Sequence, residues 1–398
     1  MIEKSSRVNL YLKSLLVIAA ILIGLAVFEI FTRFIIFSKS NPTTQIIGTC
    51  KKKDTYLYTA FIPNSRCSYK TKEWSATYVI NSLGFRDFEY SLDKPNNTYR
   101  ILIMGDSFFE GVGVDIENTA GKILERKIKQ NSKLPVEVIQ VGTAGWSPLL
   151  EYLYLVKFGI KFHPDLVIQT INATDFKDEY FFDSHLTPEA KKILQSEESS
   201  DLITAPNLKV FDVSDSSSQS TNKQSEVAKI KSFLTSHFIL FKNLETLKNA
   251  YSRRFQKDKI SDNLFAITEL QKPKDYNDAF KRPEKYILKN RELLDKNGTD
   301  FLLVVFPHGQ VLNGQEWKDG RLDYGFKRGV TYSNRALDDL ISWSHDVGID
   351  ALDLTSDMRQ ASGSRKLFFD QDGHWNENGH RVFADLLADQ IFKKTYIK

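Results

Sequence analysis

The chain has 398 residues, 41% of them hydrophobic and 26% charged. That is enough apolar material for a large core, either as one domain with additions or as two small ones. The formal charge is only +4, and the basic residues are scattered without an aromatic-basic module, which argues against nucleic-acid binding.

Residues 1–13 form a short tail carrying Lys4, Arg7 and Lys13. Residues 14–37 then read as a transmembrane helix. Ser14 to Phe28 carries no charge, and the apolar character resumes at Phe34-Ile35-Ile36-Phe37 after Glu29 and Arg33. Such a run can cross a bilayer core of ~30 Å. Glu29 and Arg33 lie four apart on one helix face and can pair near its outer end. A cleaved signal peptide and a buried core helix are the alternatives, although Ser38-Lys39-Ser40 makes a poor small-x-small cleavage site. Flanking charge does not decide orientation, because Lys39 and Lys51-Lys52-Lys53 follow the span. A short tail before a large C-terminal domain suits an N-in signal anchor. The expectation is a single-pass membrane protein with a cytoplasmic tail and its bulk in the periplasm or at the cell surface, the lipid bilayer being one partner. The only two cysteines, Cys50 and Cys67, either form one disulfide in an oxidising compartment or remain free thiols.

Residues 41–99 mix turns with short alternating runs such as Ala76-Thr77-Tyr78-Val79-Ile80, which indicates a strand-rich N-terminal extension. From Arg100 the texture changes. Ile101 to Met104 is a strand apolar on both faces, stopped by Gly105-Asp106-Ser107. Ser107 therefore sits at a strand's carboxyl end, where open α/β sheets bind ligands. A helix near Ala120 to Gln130, a strand from Val136 to Val141, a helix near Leu149 to Phe158 and a strand from Leu166 to Ile171 follow. This alternation implies parallel strands with crossover helices on both faces, a three-layer α/β domain over residues 100–398.

The alternation breaks at about 176–300. Ser214 to Ser225 reads as a flexible polar loop. Val227 to Phe255 carries apolar residues at helical spacing between lysines and arginines, a lid helix or a membrane-surface helix. Phe301 to Phe306 resumes the sheet, followed by a helix near Ser333 to His345, a short strand near Ile349 to Leu354 and a helix from Glu377 to Phe392.

Just before that last helix stands Phe369-Asp370-Gln371-Asp372-Gly373-His374-Trp375-Asn376-Glu377-Asn378-Gly379-His380. A serine after an early strand, an Asp-x-His ahead of a final helix, and Asn81-Ser82-Leu83-Gly84-Phe85-Arg86-Asp87 upstream resemble the SGNH (GDSL) hydrolase family over roughly residues 80 to 393. The resemblance implies a flavodoxin-like parallel sheet and a catalytic triad. A serine hydroxyl needs a base within hydrogen-bond reach and a third group to hold that base. These roles fall to Ser107, His374 and Asp372, with Asp370 as a substitute orienter. His308 either lines the site or is structural, and His380 packs or caps in the last helix.

The family draws its oxyanion donors from the serine amide, a glycine amide in a second block and an asparagine side chain in a third. Val138-Ile139-Gln140-Val141-Gly142-Thr143-Ala144-Gly145-Trp146-Ser147 resembles the second block and points to Gly145, with Gly142 serving the turn. The third block departs from the pattern. Pro164 to Asp175 keeps the strand but places Thr174 where the asparagine belongs, with Asn172 two residues away. Gln169, on the strand, is expected to face a polar neighbour. The Gly111-Val112-Gly113 pair is too short for a dinucleotide fingerprint, and neither a cofactor nor a catalytic metal is expected.

What the resemblance implies is a serine esterase cleaving an O-acyl group, in the first instance acetyl, on a cell-envelope or exported polysaccharide. Acylated carbohydrate is then the expected substrate, and polysaccharide machinery a candidate partner. An O-acyltransferase using the same residues, and an inactive membrane-tethered binding or assembly protein, stay open at this point.

Overall fold

The computed structural model describes residues 45–196 and 276–397, with scattered helical positions between 13 and 27. The chain divides into two units, and every element below lies in the second, Thr44–Phe211 with Lys259–Lys398. Most of the span expected at 14–37 lies outside the described residues, as do Ser214 to Ser225 and Val227 to Phe255. Among the described residues, no helix is long and apolar enough to cross a membrane.

The extension consists of five short strands. β1 (Gln45–Ile47), β4 (Arg66–Lys70) and β5 (Ser75–Val79) make a three-stranded antiparallel sheet, and β2 (Lys51–Asp54) pairs with β3 (Tyr58–Phe61). Cys50 and Cys67 are joined by a disulfide, with Cα atoms 5.7 Å apart. They sit in a small core with Phe61, Ala76, Tyr78 and Ile80. So small a core buries little apolar surface, and a 17-residue loop closed covalently adds about 3 kcal/mol.

Five parallel strands form the main sheet. They are β6 (Tyr99–Gly105), β7 (Val136–Gly142), β8 (Leu166–Ile171), β9 (Asp300–Val305) and β10 (Ala351–Asp353), in the spatial order β10-β9-β8-β6-β7. Ile101 to Met104, Leu166 to Ile168 and Leu302 to Val305 are fully buried, as runs apolar on both faces require. Counted within the sheet the order is 2-1-3-4-5, the flavodoxin-like arrangement, whose topological switch point lies between the first and third strands. Here these are β6 and β8, and the residues that leave their carboxyl ends are Ser107 and Asn172.

The helices are α1 (Ser107–Glu110), α2 (Ala120–Asn131), α3 (Pro148–Lys157), α4 (Ala173–Ser184), α5 (Pro188–Ser196), α6 (Tyr276–Lys296), α7 (Gly309–Leu312), α8 (Arg335–Asp346), α9 (Thr355–Ser362) and α10 (Glu377–Lys393). The crossovers β6-α2-β7 and β7-α3-β8 run in opposite directions along the sheet, so right-handed connections cover opposite faces. α2 accordingly packs with α10, whereas α3 packs with α4 and α6. α4, α5 and α6 occupy the described ends of the segment at 176–300. α6 returns the chain to β9 as an ordinary crossover helix.

Two glycines let the first turn press onto the sheet. A Cβ on Gly142 would lie 2.6 Å from the Phe109 carbonyl carbon, and one on Gly105 2.4 Å from Thr170 Oγ1. Gly142 thus serves close approach of α1 to β7 more than a turn of its own, because any side chain there would push α1 outward.

Candidate active site

The nucleophile candidate is presented by the shortest possible helix. β6 ends at Gly105, and Asp106 caps α1 by accepting from the Phe108 N–H at 3.0 Å. Gly111 ends the helix one turn later with φ +76°. Phe108 and Phe109 are buried against Phe306 and Trp375. Of residues 101–111 only Ser107 is not buried. The apolar flank therefore anchors the turn, and the hydroxyl is the one group left to face the cleft. Arg86 secures the far side. Its guanidinium lies 3.7 Å from the Tyr78 ring centre and donates to the carbonyls of Glu110, Gly111 and Val114 at 2.6–2.9 Å. The block Asn81 to Asp87 thus acts by bracing the loop after the serine.

The base candidate comes from a hairpin-like loop in which Phe368 pairs with Trp375 and the Phe369 N–H donates to the His374 carbonyl at 2.9 Å. His374 Nε2 lies 2.7 Å from Ser107 Oγ. Its Nδ1 makes a short hydrogen bond to Asp372 Oδ1. The two side chains expose 25% and 22% of their surface, so the site is open enough for a ligand yet partly dry. Burial alone would lower the His374 pKa, but the hydrogen bond and charge of Asp372, helped by Asp106 and Glu110, raise it above the ordinary histidine value. Burial pulls Asp372 upward, and its bond to His374 outweighs that and holds the carboxyl below the usual range.

The loop is held by the extension. Glu73, just before β5, accepts from the N–H groups of Gln371 at 2.9 Å and Asp372 at 2.8 Å. Nothing in the sequence signals this contact, which spans about 300 residues and follows no local pattern. Asp370, the substitute orienter, is engaged elsewhere by Lys366 at 2.6 Å and Lys318 at 3.2 Å. His308 is buried among Phe108, Trp317 and Phe368. Burial first, then the charge of His374, pushes its pKa down to about 3. His380 accepts from the Ala120 N–H at 3.2 Å, capping α2.

The third corner holds the expected oxyanion donors. Gly145 has φ +82° in a turn closed by Trp146 N–H to the Thr143 carbonyl, a conformation that favours glycine. Its neighbour Ala144 donates to buried Glu110 at 2.7 Å, and Lys51 of the extension holds that carboxylate at 2.6 Å. On the other side, Asn172 is buried and caps α4, accepting from the Thr174 N–H at 2.9 Å. Its amide nitrogen donates to Asp106 Oδ2 at 3.0 Å. The Thr174 hydroxyl lies 2.7 Å from Asn172 Oδ1 and 3.3 Å from Asp106 Oδ2, and Thr174 is only half-buried. Asn172 is thus committed to structure, whereas the Thr174 side chain keeps part of its surface exposed. Asp106 is the hub of this corner, and burial raises its pKa despite the donors from Phe108, Asn172 and Thr174. Gln169 faces inward, donating to Glu151 at 2.6 Å and accepting from Asn290 at 3.2 Å.

Ser107, His374 and Asp372 are therefore brought together as one hydrogen-bonded chain, and Gly145 and Thr174 stand on either side of the serine turn. Sequence reasoning missed Asp106, Glu110 and Glu73, and took Arg86 only as part of a resemblance.

Comparison with known proteins adds the following. A family model described as "SGNH hydrolase-like domain, acetyltransferase AlgX" matches residues 261–398, a span that includes Asp372 and His374 but not Ser107. No curated protein matches the chain by sequence. Among solved structures, an acylhydrolase from Bacteroides fragilis is 14% identical over 76% of this chain and 92% of its own, with a TM-score of 0.36. A lipase/acylhydrolase from Enterococcus faecalis is 13% identical over 75% and 97%, at 0.37. An acetyl xylan esterase is 13% identical over 74% and 99%, at 0.36.

Proposed function

We propose that the chain is an SGNH-type serine enzyme that cleaves an O-acyl ester, in the first instance acetyl, through a Ser107 acyl-enzyme. The observation that carries this reading is the Ser107 Oγ to His374 Nε2 distance of 2.7 Å, with Asp372 on the opposite ring nitrogen. His374 takes the hydroxyl proton as Ser107 Oγ bonds to the acyl carbon, and Asp372 stabilises the imidazolium that forms. The carbonyl oxygen becomes an oxyanion. It receives the N–H of Ser107, which as the first residue of α1 has no intrahelical acceptor, the N–H of Gly145, and the Thr174 hydroxyl. Collapse expels the alcohol, which takes the proton back from His374. A second oxygen nucleophile, activated by the same imidazole, then releases the acyl group and regenerates Ser107.

Water as that nucleophile makes the enzyme an esterase; a sugar hydroxyl makes it an O-acyltransferase. The name of the family model over residues 261–398 supports the second reading. Product analysis with a free oligosaccharide present separates the two. The Cys50–Cys67 disulfide supports a location in an oxidising compartment outside the cytoplasm.

A membrane-impermeant fluorophosphonate applied to intact cells tests both readings, since it must label wild-type protein and spare Ser107→Ala. Ser107→Ala and His374→Ala should each abolish turnover of a short-chain aryl acetate, because members of one catalytic unit fail together. Near-full turnover by the Ser107 variant would end the triad reading. Labelling only after lysis would place the domain inside the cell.

A further inference from the structure

α4 starts at the serine turn and leads away from it. Thr174 touches Asp106, and the residues four, seven and eight positions on, Asp178, Phe181 and Phe182, follow along the same helical face. The opposite face, with Ala173, Asp175, Phe176 and Glu179, is buried. The outer face is only half covered, although it is the more aromatic one. Phe182 Cζ lies 3.9 Å from where a Cβ on Gly145 would be, so this surface begins beside the loop that carries an oxyanion amide.

Phe181 and Phe182 meet Tyr58 of β3 edge to face, with ring centres 5.8 and 5.2 Å away, and each other at 5.1 Å. His185 stacks on Phe181 at 4.3 Å. Packing of this kind normally belongs to a core, yet Phe181 exposes 38% of its surface and Tyr58 47%. Tyr58 is moreover held at φ +62°, a left-handed conformation that costs energy for a bulky residue and that burial does not offset at such exposure. Among the described residues no protein group donates to Asp178, whose pKa is pushed up to about 7 by burial, against the opposing charge of neighbouring Lys177 and with a smaller push from Asp106. Beside the Asp372 loop, Tyr324 exposes 50% and packs at 5.1 Å on Trp317, whose indole N–H donates to the Gln371 carbonyl. Burial first, and then the charges of Asp323, Asp372 and Asp178, raise the Tyr324 phenol pKa.

An acyl chain calls for an enclosed apolar channel. This surface is open and mixes aromatic faces with a carboxylate that has free acceptor capacity and a phenol, which matches a ligand that has one C–H face and a rim of hydroxyls. Taking the acyl-enzyme reading above as its basis, we propose that the outer face of α4 with Tyr58 is a saccharide subsite. Tyr58 carries the C–H face of a sugar ring next to the acylated one, Phe181 walls it from the side, and the Asp178 carboxylate accepts from its hydroxyls.

The test uses the full chain with p-nitrophenyl acetate, p-nitrophenyl octanoate and acetylated hexasaccharides of xylan, mannan and glucan. In Tyr58→Ala, Phe181→Ala and Asp178→Asn, the ratio of kcat/KM on the best hexasaccharide to that on the aryl acetate should fall about tenfold, through KM, as one lost aromatic or charged contact implies. Calorimetric binding of the same hexasaccharide to Ser107→Ala should weaken in step when each substitution is added. An unchanged ratio, a loss confined to the octanoate, or no binding of any hexasaccharide to Ser107→Ala would overturn the subsite. A wild-type protein inert on aryl acetate whose Ser107→Ala variant still binds hexasaccharide would instead sink the acyl-enzyme reading and leave the subsite standing.

Discussion

In the proposed mechanism Thr174 and Asn172 separate two jobs that the related pattern gives to one asparagine, and a pair of substitutions should pull these jobs apart. Thr174→Val removes a half-buried hydroxyl at nearly constant volume. In the ground state it loses bonds to Asn172 Oδ1 at 2.7 Å and Asp106 Oδ2 at 3.3 Å, worth about 1 kcal/mol of stability in sum. In the transition state it loses an oxyanion donor, about 3 kcal/mol, or roughly 10²-fold in kcat with KM little changed. Asn172→Ala acts the other way round. It deletes the cap of α4, about 1 kcal/mol, and strips a charge-assisted donor at 3.0 Å from buried Asp106, about 2 kcal/mol more. For a domain of this size each kcal/mol lowers Tm by about 2–4 °C, so the alanine variant should melt about 6–12 °C lower while its folded fraction loses less rate than Thr174→Val. Steady-state kinetics on an aryl acetate, well below both melting transitions, reads the first quantity and thermal unfolding the second. If Asn172→Ala costs the larger share of kcat with an unshifted Tm, the asparagine reaches the oxyanion and the assignment of Thr174 is wrong.

Two further outcomes follow from the buried charges. His374 works as a base only when neutral, so activity is lost as pH falls through its raised pKa. Asp372→Asn removes the largest group raising that pKa, so the acid limb of the kcat/KM profile should move to lower pH while kcat drops by roughly 10³–10⁴ through loss of the correct tautomer; a limb that stays put would show that Asp372 does not set the titration. Behind the site, Glu151 is fully buried with its pKa raised to about 8, chiefly by burial. The native state then holds a proton that the unfolded chain releases near pH ~4.3, so stability falls as pH rises from there to about 8. Glu151→Gln keeps an acceptor for Gln169 and should shrink the loss of stability between pH 5 and pH 8 by up to a few kcal/mol in urea titrations; an unchanged difference would mean Glu151 is ionised in the fold.

By itself the sequence determined the sheet strands and most of their crossover helices, because a run such as Ile101 to Met104 is apolar on both faces and can satisfy its backbone only in the middle of a covered parallel sheet. For the candidate triad it offered Ser107 at the end of such a strand and Asp372 and His374 in one short loop before a helix, roles that the family resemblance implied. What it left open were questions of long-range partnership. Whether Cys50 met Cys67, whether Asp370 or Asp372 met His374, and where the Asn172 amide found its acceptor each depended on distances between segments that no local pattern encodes. The tertiary structure decided them by packing. Lys366 and Lys318 take Asp370 out of reach, and Glu73 from the extension fixes the backbone of Asp372. The buried carboxylate of Asp106, held where two strands diverge, draws the Asn172 amide inward, because a charge removed from water must find its donors inside the fold.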